Sequence, residues 1–464
     1  MRDVDVLVVG AGVVGAAIAR ELGRYVVSVA LVDASDDIGN ATSKANTAIL
    51  HTGFDAYPGS LESTLVTRGS TLLRDYAAAA GIAVEALGAL LVAWDAEQLA
   101  ALDGIEDKAR RNGYTRTRRV AVDELYAREP HLGAGALAAV EVPDESIIDP
   151  WSTPLAFATE AVRLGVTLHL RHRVTGVRAH GDRTVVSFDG GDEVAARWVV
   201  NAAGLRSDVI DRSFGHERFT IVPRRGQLLV FDKQARPLVN HVLLPVPSAL
   251  GKGVLISPTV FGNVMLGPTA ENLDDRTDTS STQDGYGFLL EKGRLLMPEL
   301  VGEEVTAVYA GLRAATEHDD YQIHVDADQR YVCVGGIRST GLTSALAIGE
   351  HVRRLLADGG LALREARGPQ IPAMPNLGDA FPRPYQRDDL IAADADYGHV
   401  VCFCERVTAG EIRDAVASDV PARTWEGLRR RTRAMNGRCQ GFFCGAGIEA
   451  SVSLAAPTEA VSPR

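Results

Sequence analysis

Cysteine is scarce in this chain, with five residues among 464. Positive charge is also short: the formal net charge is −12 and the pI about 5.5. That balance argues against a general nucleic-acid or anionic-membrane binder, because phosphate surfaces attract basic patches. A long uninterrupted apolar run is missing too. The stretch from Val4 to Ala19 is broken by Gly10, Gly12 and Gly15 and reads as strand, turn and helix, so no integral membrane segment is expected. With no charged-then-apolar leader ahead of it, the chain is expected to be cytoplasmic, with peripheral placement at the inner face of the membrane as the alternative. Thiols there are held reduced, so the clustered Cys402, Cys404, Cys439 and Cys444 read as ligands or redox groups rather than disulfides. Cys333, alone in YVCVGG, reads as a small buried hydrophobe.

What is present is an ordinary globular composition, 46% hydrophobic and 23% charged, in a length that suits two or three domains. The first of them opens with the strand-like Val4 to Val9 and then Gly10-Ala-Gly12-Val-Val-Gly15. In a G-x-G-x-x-G turn the first glycine permits the tight bend, the second lets backbone approach a pyrophosphate, and the third allows close helix–strand packing. Val14 lies at the helix start, where a negative charge is favoured. A second strand, VVSVALVD, ends at Asp33, whose carboxylate is placed to accept hydrogen bonds from ribose hydroxyls. The order strand, turn, helix, strand, acid predicts dinucleotide binding, with FAD and NAD both open at this point.

Two later stretches repeat the strand-then-small-residue pattern: RWVVNAAGLRSD at 197–208, with Ala203 and Gly204, and YVCVGGIRSTGLTSALAIGEHV at 331–352, with Gly336, Gly341, Leu342 and Thr343. Three such turns spread over 350 residues resemble the D-amino-acid-oxidase-like FAD oxidoreductases, whose FAD domain is assembled from discontinuous segments. The resemblance implies an α/β fold with a Rossmann-like FAD-binding domain over about 1–75, 141–215 and 311–365. An inserted β-rich substrate domain would take about 76–140 and 216–310. Residues 366–389 are Pro-rich and read as an extended linker. A compact last module spans 390–455 and holds the four clustered cysteines.

Their spacing is C-x-C, thirty-four residues, then C-x4-C. Four thiolates suit a tetrahedral zinc or a [2Fe-2S] cluster, and spacing alone leaves both open. CFCERVTAGEI followed by LRRRTRAMNGRCQGFFC resembles the [2Fe-2S] domain of the bacterioferritin-associated-ferredoxin type, in the version fused to the large subunit of anaerobic glycerol-3-phosphate dehydrogenases. The resemblance implies a cluster held by Cys402, Cys404, Cys439 and Cys444. Arg429, Arg430, Arg431 and Arg433 just ahead of Cys439 either raise the cluster's potential or form a solvated helix face. Met435-Asn436-Gly437 stands where many relatives have Gly-Met-Gly.

NATSKANTAILHTGFDAYPGSLES, 40–63, is similar to the stretch that passes the flavin ring in glycerol-3-phosphate oxidases and dehydrogenases and in L-2-hydroxyglutarate oxidases. By that similarity Ser43, Lys44, Ala45 and Asn46 lie along the cofactor and His51 faces the substrate. LGPTAE and AGLRAATEHDDY also resemble the glycerol-3-phosphate group, in which Arg313 would hold the substrate's anionic end; Lys252 is a second candidate for that anion. A neutral imidazole is a suitable base for a hydroxyl proton, and a guanidinium suits bidentate recognition of phosphate or carboxylate. Arg338 and Thr343 follow the last strand, and Ser339-Thr340-Gly341 departs from the Ser-Pro-Gly of many relatives. The implied activity is FAD-dependent oxidation of sn-glycerol-3-phosphate to dihydroxyacetone phosphate, with electrons passing through the cluster to an acceptor or a quinone-linked partner subunit. The alternatives are oxidation of another small anionic 2-hydroxy acid or an amino acid, and a non-catalytic electron-transfer flavoprotein subunit.

Overall fold

In the computed structural model, residues 2–247 and 253–451 are described. Lys252 therefore lies outside the described residues. The N-terminal strand Arg2–Val9 runs parallel between Val29–Val32 and Glu193–Asn201, and Thr167–His169 extends the sheet beyond Val29–Val32. Tyr331–Gly335 pairs in parallel with the C-terminal end of Glu193–Asn201, and antiparallel strands Gln322–Asp326, Val174–His180 and Arg183–Phe188 complete eight strands. Leu7, Val8, Leu31 and Val200 are buried on both faces, as near-continuous apolar runs in a parallel sheet require. Each such side chain contributes about 1.5–3 kcal/mol of burial.

A second, nine-stranded sheet draws its strands from Ala89–Ala93, Arg118–Ala121, Ala138–Val142 and six segments of chain between 222 and 315. Its longest ladder pairs Val222–Phe231 with Val305–Ala315, and this carries the sheet past the expected boundary at 310 because Gly311 and Arg313 continue the pairing with Gly226 and Arg224. A small third sheet joins Ile49–Leu50, Ser146–Ile148 and Val84–Glu85. Among the described residues no helix is long and apolar enough to cross a membrane.

The proline-rich stretch is extended, but it is pinned along the body of the protein. Met374 N–H donates to Ala80 O, Asp379 N–H donates to Val260 O, and Leu377 is buried beside Phe261. Prolines withhold donors there, and the amides of Gln370, Met374 and Asp379 find partners on the body. The stretch ends with buried Arg383 donating to Glu411 at 2.8 Å, and Glu411 closes the capping box of helix Ala409–Ala417.

The last module is docked by charge. Arg431 forks onto both oxygens of Asp37, with two contacts of 2.8 Å, and Arg430 reaches the same carboxylate at 2.6 Å. Arg433 bonds Glu405 at 3.1 Å, and its guanidinium lies 4.2 Å from the ring centre of Phe261. Asp37, Arg430, Arg431 and Arg433 are all buried. The basic run is thus not a solvated face: Arg430 and Arg431 reach the body through Asp37, Arg433 lies on Phe261 while pairing with Glu405 inside the module, and Arg429 pairs with Glu426.

Removing one partner of a buried ion pair costs about 3–5 kcal/mol, because it leaves the other charge uncompensated. Asp37→Ala strands two guanidiniums. It is expected to lower the melting temperature and open the 366–400 region to limited proteolysis; unchanged proteolysis would show that the charges do not hold the module. Burial raises the Asp37 carboxyl, but Arg431 and Arg430 outweigh it and hold the group below its ordinary value. The folded-state pKa is therefore the lower one. The stabilisation is complete above about pH 4 and is lost as pH falls through the folded value, a loss that acid titration of docking should reproduce.

Candidate active site and cluster site

The three parallel strands Arg2–Val9, Glu193–Asn201 and Tyr331–Gly335 deliver the three predicted turns to one edge, around a cavity of about 860 Å³. Gly10 sits at φ +107°, and a Cβ there would lie 2.3 Å from Ala202 O; a Cβ on Gly15 would lie 1.8 Å from Gly10 O. No other residue fits these two positions, and the backbone packing they permit is that of a dinucleotide turn. The helix Val13–Gly23 opens at Gly12 without a side-chain cap from that residue, and Val13 N–H donates to Ser43 Oγ at 3.0 Å. Asp33 accepts from Ala11 N–H at 2.6 Å and Ser35 N–H at 2.7 Å, so its carboxylate braces the turn.

Of the cofactor residues expected from sequence, Gly12, Val14, Ser43, Asn46, Gly204, Gly336, Gly341 and Leu342 line the cavity, as does Ala45. Gly10 and Gly15 shape the turn beneath it. Ala203 turns into the apolar cluster on the other side, with its N–H donating to Asn201 Oδ1. Thr343 stands behind the wall, where its Oγ1 accepts from His51 N–H at 3.0 Å. Lys44 is the exception to the expected row along the cofactor. Its ammonium donates to Asn40 Oδ1 at 2.9 Å, away from the cavity, and burial followed by the charge of Arg430 lowers its pKa.

The loop 42–51 is held from several sides. Thr42 Oγ1 donates to Leu312 O, Tyr309 OH donates to Asn46 O, and Trp151 Nε1 donates to Lys44 O. Asn46 staples the turn from within, its amide donating to Ser43 O while its oxygen accepts from Ala48 N–H.

His51 lines the cavity with its ring nitrogen Nδ1 3.0 Å from Glu145 Oε2. The small sheet causes this meeting: Leu50 pairs with Ser146, so the next residue on one strand faces the preceding residue on the other. Glu145 is fully buried and also accepts from the N–H and hydroxyl of Thr52. A carboxylate at Nδ1 fixes the imidazole's orientation and favours the tautomer in which Nε2 is the acceptor. Sequence reading missed Glu145; the only signal was an acid set against the apolar run SIID.

Arg313, Arg224 and Arg338 line the same cavity, Arg338 being bonded to Glu62 at 3.3 Å and to Asp319 O. Burial, with the charge of Arg224, pushes the Arg313 guanidinium down to about 10, which leaves it a cation at neutral pH. Arg224 was also missed by sequence reading, since it stands in a run of two arginines with no marker to separate them.

In the last module the four cysteines meet two by two: Cys404 with Cys439, and Cys402 with Cys444. Among the described residues no three His, Cys, Asp or Glu side chains surround a single ion-sized point. The N–H of Phe443 is the chief cause that lowers the Cys439 thiol, helped by those of Gly441 and Phe442, while burial pushes Cys444 up to about 12. Amides aimed at sulfur favour a bound thiolate. Four of the seven described non-glycine residues at positive φ, Arg406, Arg433, Met435 and Gln440, bracket these cysteines. Met435, at φ +66°, stands at the left-handed position where relatives were expected to carry glycine. Such strain persists where surrounding structure over-determines a loop, as a cluster cradle does. Cys333 is fully buried, and burial raises its thiol, in keeping with a packing role.

Residues 5–355 match the FAD dependent oxidoreductase family, and residues 400–452 match the BFD-like [2Fe-2S] binding domain. The chain is 35% identical to a glycerol 3-phosphate dehydrogenase of Caloramator mitchellensis over 95% of this chain and 92% of that one. It is 28% identical to a glycerol 3-phosphate oxidase of Mycoplasma pneumoniae over 77% of this chain and 95% of the relative. The solved structure of dithionite-reduced L-alpha-glycerophosphate oxidase from Mycoplasma pneumoniae with FAD bound aligns with a TM-score of 0.76 at 27% identity, covering 81% of this chain and 99% of that chain. The Gly10–Gly15 turn and the converging strand ends fit FAD, and the four neighbouring thiols with amide donors at Cys439 fit the two-iron cluster of the matched domain. The chain belongs to the FAD dependent oxidoreductases and carries a C-terminal BFD-like [2Fe-2S] domain.

Proposed function

We propose that the protein oxidises sn-glycerol-3-phosphate to dihydroxyacetone phosphate and passes the electrons onward through its C-terminal domain. The observation that carries this reading is the presence of the His51–Glu145 pair and the Arg313 guanidinium at one cavity beside the Gly-rich turns. Bound FAD supplies a hydride acceptor that can return electrons singly, and the [2Fe-2S] cluster supplies a one-electron outlet.

The chain's own residues do the rest. Arg313 holds the anionic end of the substrate by charge-assisted hydrogen bonds and so leaves the secondary hydroxyl for His51. His51 Nε2 takes the hydroxyl proton, and buried Glu145 at Nδ1 stabilises the imidazolium that results. The apolar wall formed by Ile49, Phe54, Leu91 and Leu255 limits water. Gly10, Gly12, Gly15 and the 42–46 loop would hold the dinucleotide, and Cys402, Cys404, Cys439 and Cys444 would hold the cluster. A downstream acceptor, including a membrane quinone-linked partner subunit, would receive the electrons.

The likeness to human mitochondrial L-2-hydroxyglutarate dehydrogenase, 29% identical over 57% of this chain and 60% of that one, keeps a carboxylate substrate as the rival. Anaerobic glycerol-3-phosphate is expected to bleach the flavin absorbance of the purified holoenzyme. Bleaching by L-2-hydroxyglutarate or an amine, with none by glycerol-3-phosphate, would overturn the assignment. His51→Ala should slow flavin reduction by about 10²-fold or more, as loss of a general base does; a near-normal rate would return His51 to packing. Cys404→Ala should leave substrate-driven bleaching intact while labile sulfide and electron delivery to an external acceptor fall together. Full delivery in that variant would refute the relay.

A further inference from the structure

The ladder between Val222–Phe231 and Val305–Ala315 sets Arg224 directly opposite Arg313. Side chains alternate along a strand, so these two share the face that Gly226, Leu228, Gly311 and Ala315 also present to the cavity. Like charges directly opposed across a ladder are destabilising unless something balances them. The neighbouring arginine shows how this protein balances one: Arg225, on the other face, is buried and paired with Glu271 at 2.7 Å and Asp278 at 2.9 Å. Arg224 and Arg313 have only neutral partners among the described residues. Arg224 Nε donates to Asn272 Oδ1 at 2.8 Å, and Arg313 Nη2 approaches Thr269 O at 3.4 Å. Gly226 leaves the room in which the Arg313 guanidinium sits, since a Cβ there would come within 2.7 Å of Nη2.

Resting on the reading of this cavity as an alcohol-oxidising site, we infer that Arg224 is a specificity-determining residue that joins Arg313 in holding a dianionic phosphate group, so that the site selects phosphate esters over carboxylates. The charge arithmetic favours this occupant. A phosphate monoester carries up to two negative charges and three terminal oxygens, enough to engage both guanidiniums, whereas a carboxylate neutralises one and leaves the pair repelling. Arg313 forms the inner contact and Arg224, exposed at the lip, forms the outer one.

The test uses the holoenzyme and the variants Arg224→Gln and Arg224→Lys. The dissociation constant is read from the flavin spectrum for inorganic phosphate and from the concentration dependence of anaerobic flavin reduction for glycerol-3-phosphate. Loss of a charge-assisted contact predicts weakening of both by about 10- to 100-fold in Arg224→Gln. Arg224→Lys should recover part of the loss. Acetate and L-2-hydroxyglutarate, tested for binding in the same way, should change much less, so the preference for phosphate over carboxylate collapses. Unchanged phosphate binding in Arg224→Gln overturns the inference, as does equal weakening of phosphate and carboxylate. If the wild-type flavin is not reduced by glycerol-3-phosphate but phosphate binding still depends on Arg224, the proposed reaction fails and the phosphate subsite stands.

Discussion

The close passage of Gly311 over Ala45 is the contact on which the site depends. A Cβ on Gly311 would lie 2.5 Å from Ala45 O, so the long strand of the second sheet lies against the backbone of the 42–51 loop. From that contact the loop is tied outward in each direction. Ser43 accepts from Val13 N–H at the nucleotide helix, Tyr309 donates to Asn46 O, and Trp151 donates to Lys44 O. His51, at the far end, is held between Thr343 and Glu145. Two sheets built from interleaved segments are thereby fixed at one spacing, and the cavity is the space that spacing leaves.

Much of this was legible in the sequence, for a physical reason. Parallel strands buried on both faces must be apolar, and the turns that follow them must be made of small residues where backbone approaches a dinucleotide; both requirements leave marks at fixed positions. The three turns at 10–15, 202–204 and 336 converge as those marks implied. The cysteine spacing was less decisive by itself, since four thiolates suit two kinds of centre, and the surrounding residues separated them.

What sequence could not show was pairing across long separations. Glu145 meets His51 only because Ile49–Leu50 and Ser146–Ile148 share a ladder, and no local pattern announces it. Arg224 and Arg225 look alike in PRRG, yet strand alternation sends one to the cavity and the other to Glu271 and Asp278. Lys44 reads as part of the cofactor row, but a three-residue 3-10 turn at Thr42–Lys44 swings it toward Asn40. The burial of Arg430 and Arg431 is hidden from sequence for the same reason: their partner Asp37 lies nearly four hundred residues away.

The position of Asp37 links the two halves of the chemistry. Asp33 braces the nucleotide turn through Ala11, Asp37 four residues later clamps Arg430 and Arg431, and Ser43, Ala45 and Asn46 line the cavity. One short segment therefore touches the dinucleotide turn, the cluster module and the substrate space. Burial of the clamp makes release of the module costly, because separating it would expose or strand three charges at once. The pinned proline-rich stretch adds a second restraint along the body. A module held this way has a fixed seat on the body. Arg433, itself at positive φ beside the cysteines, ties the two together: it pairs with Glu405 next to Cys404 inside the module and lies against Asn263 and Phe261 of the body, so the cradle and its seat share one residue.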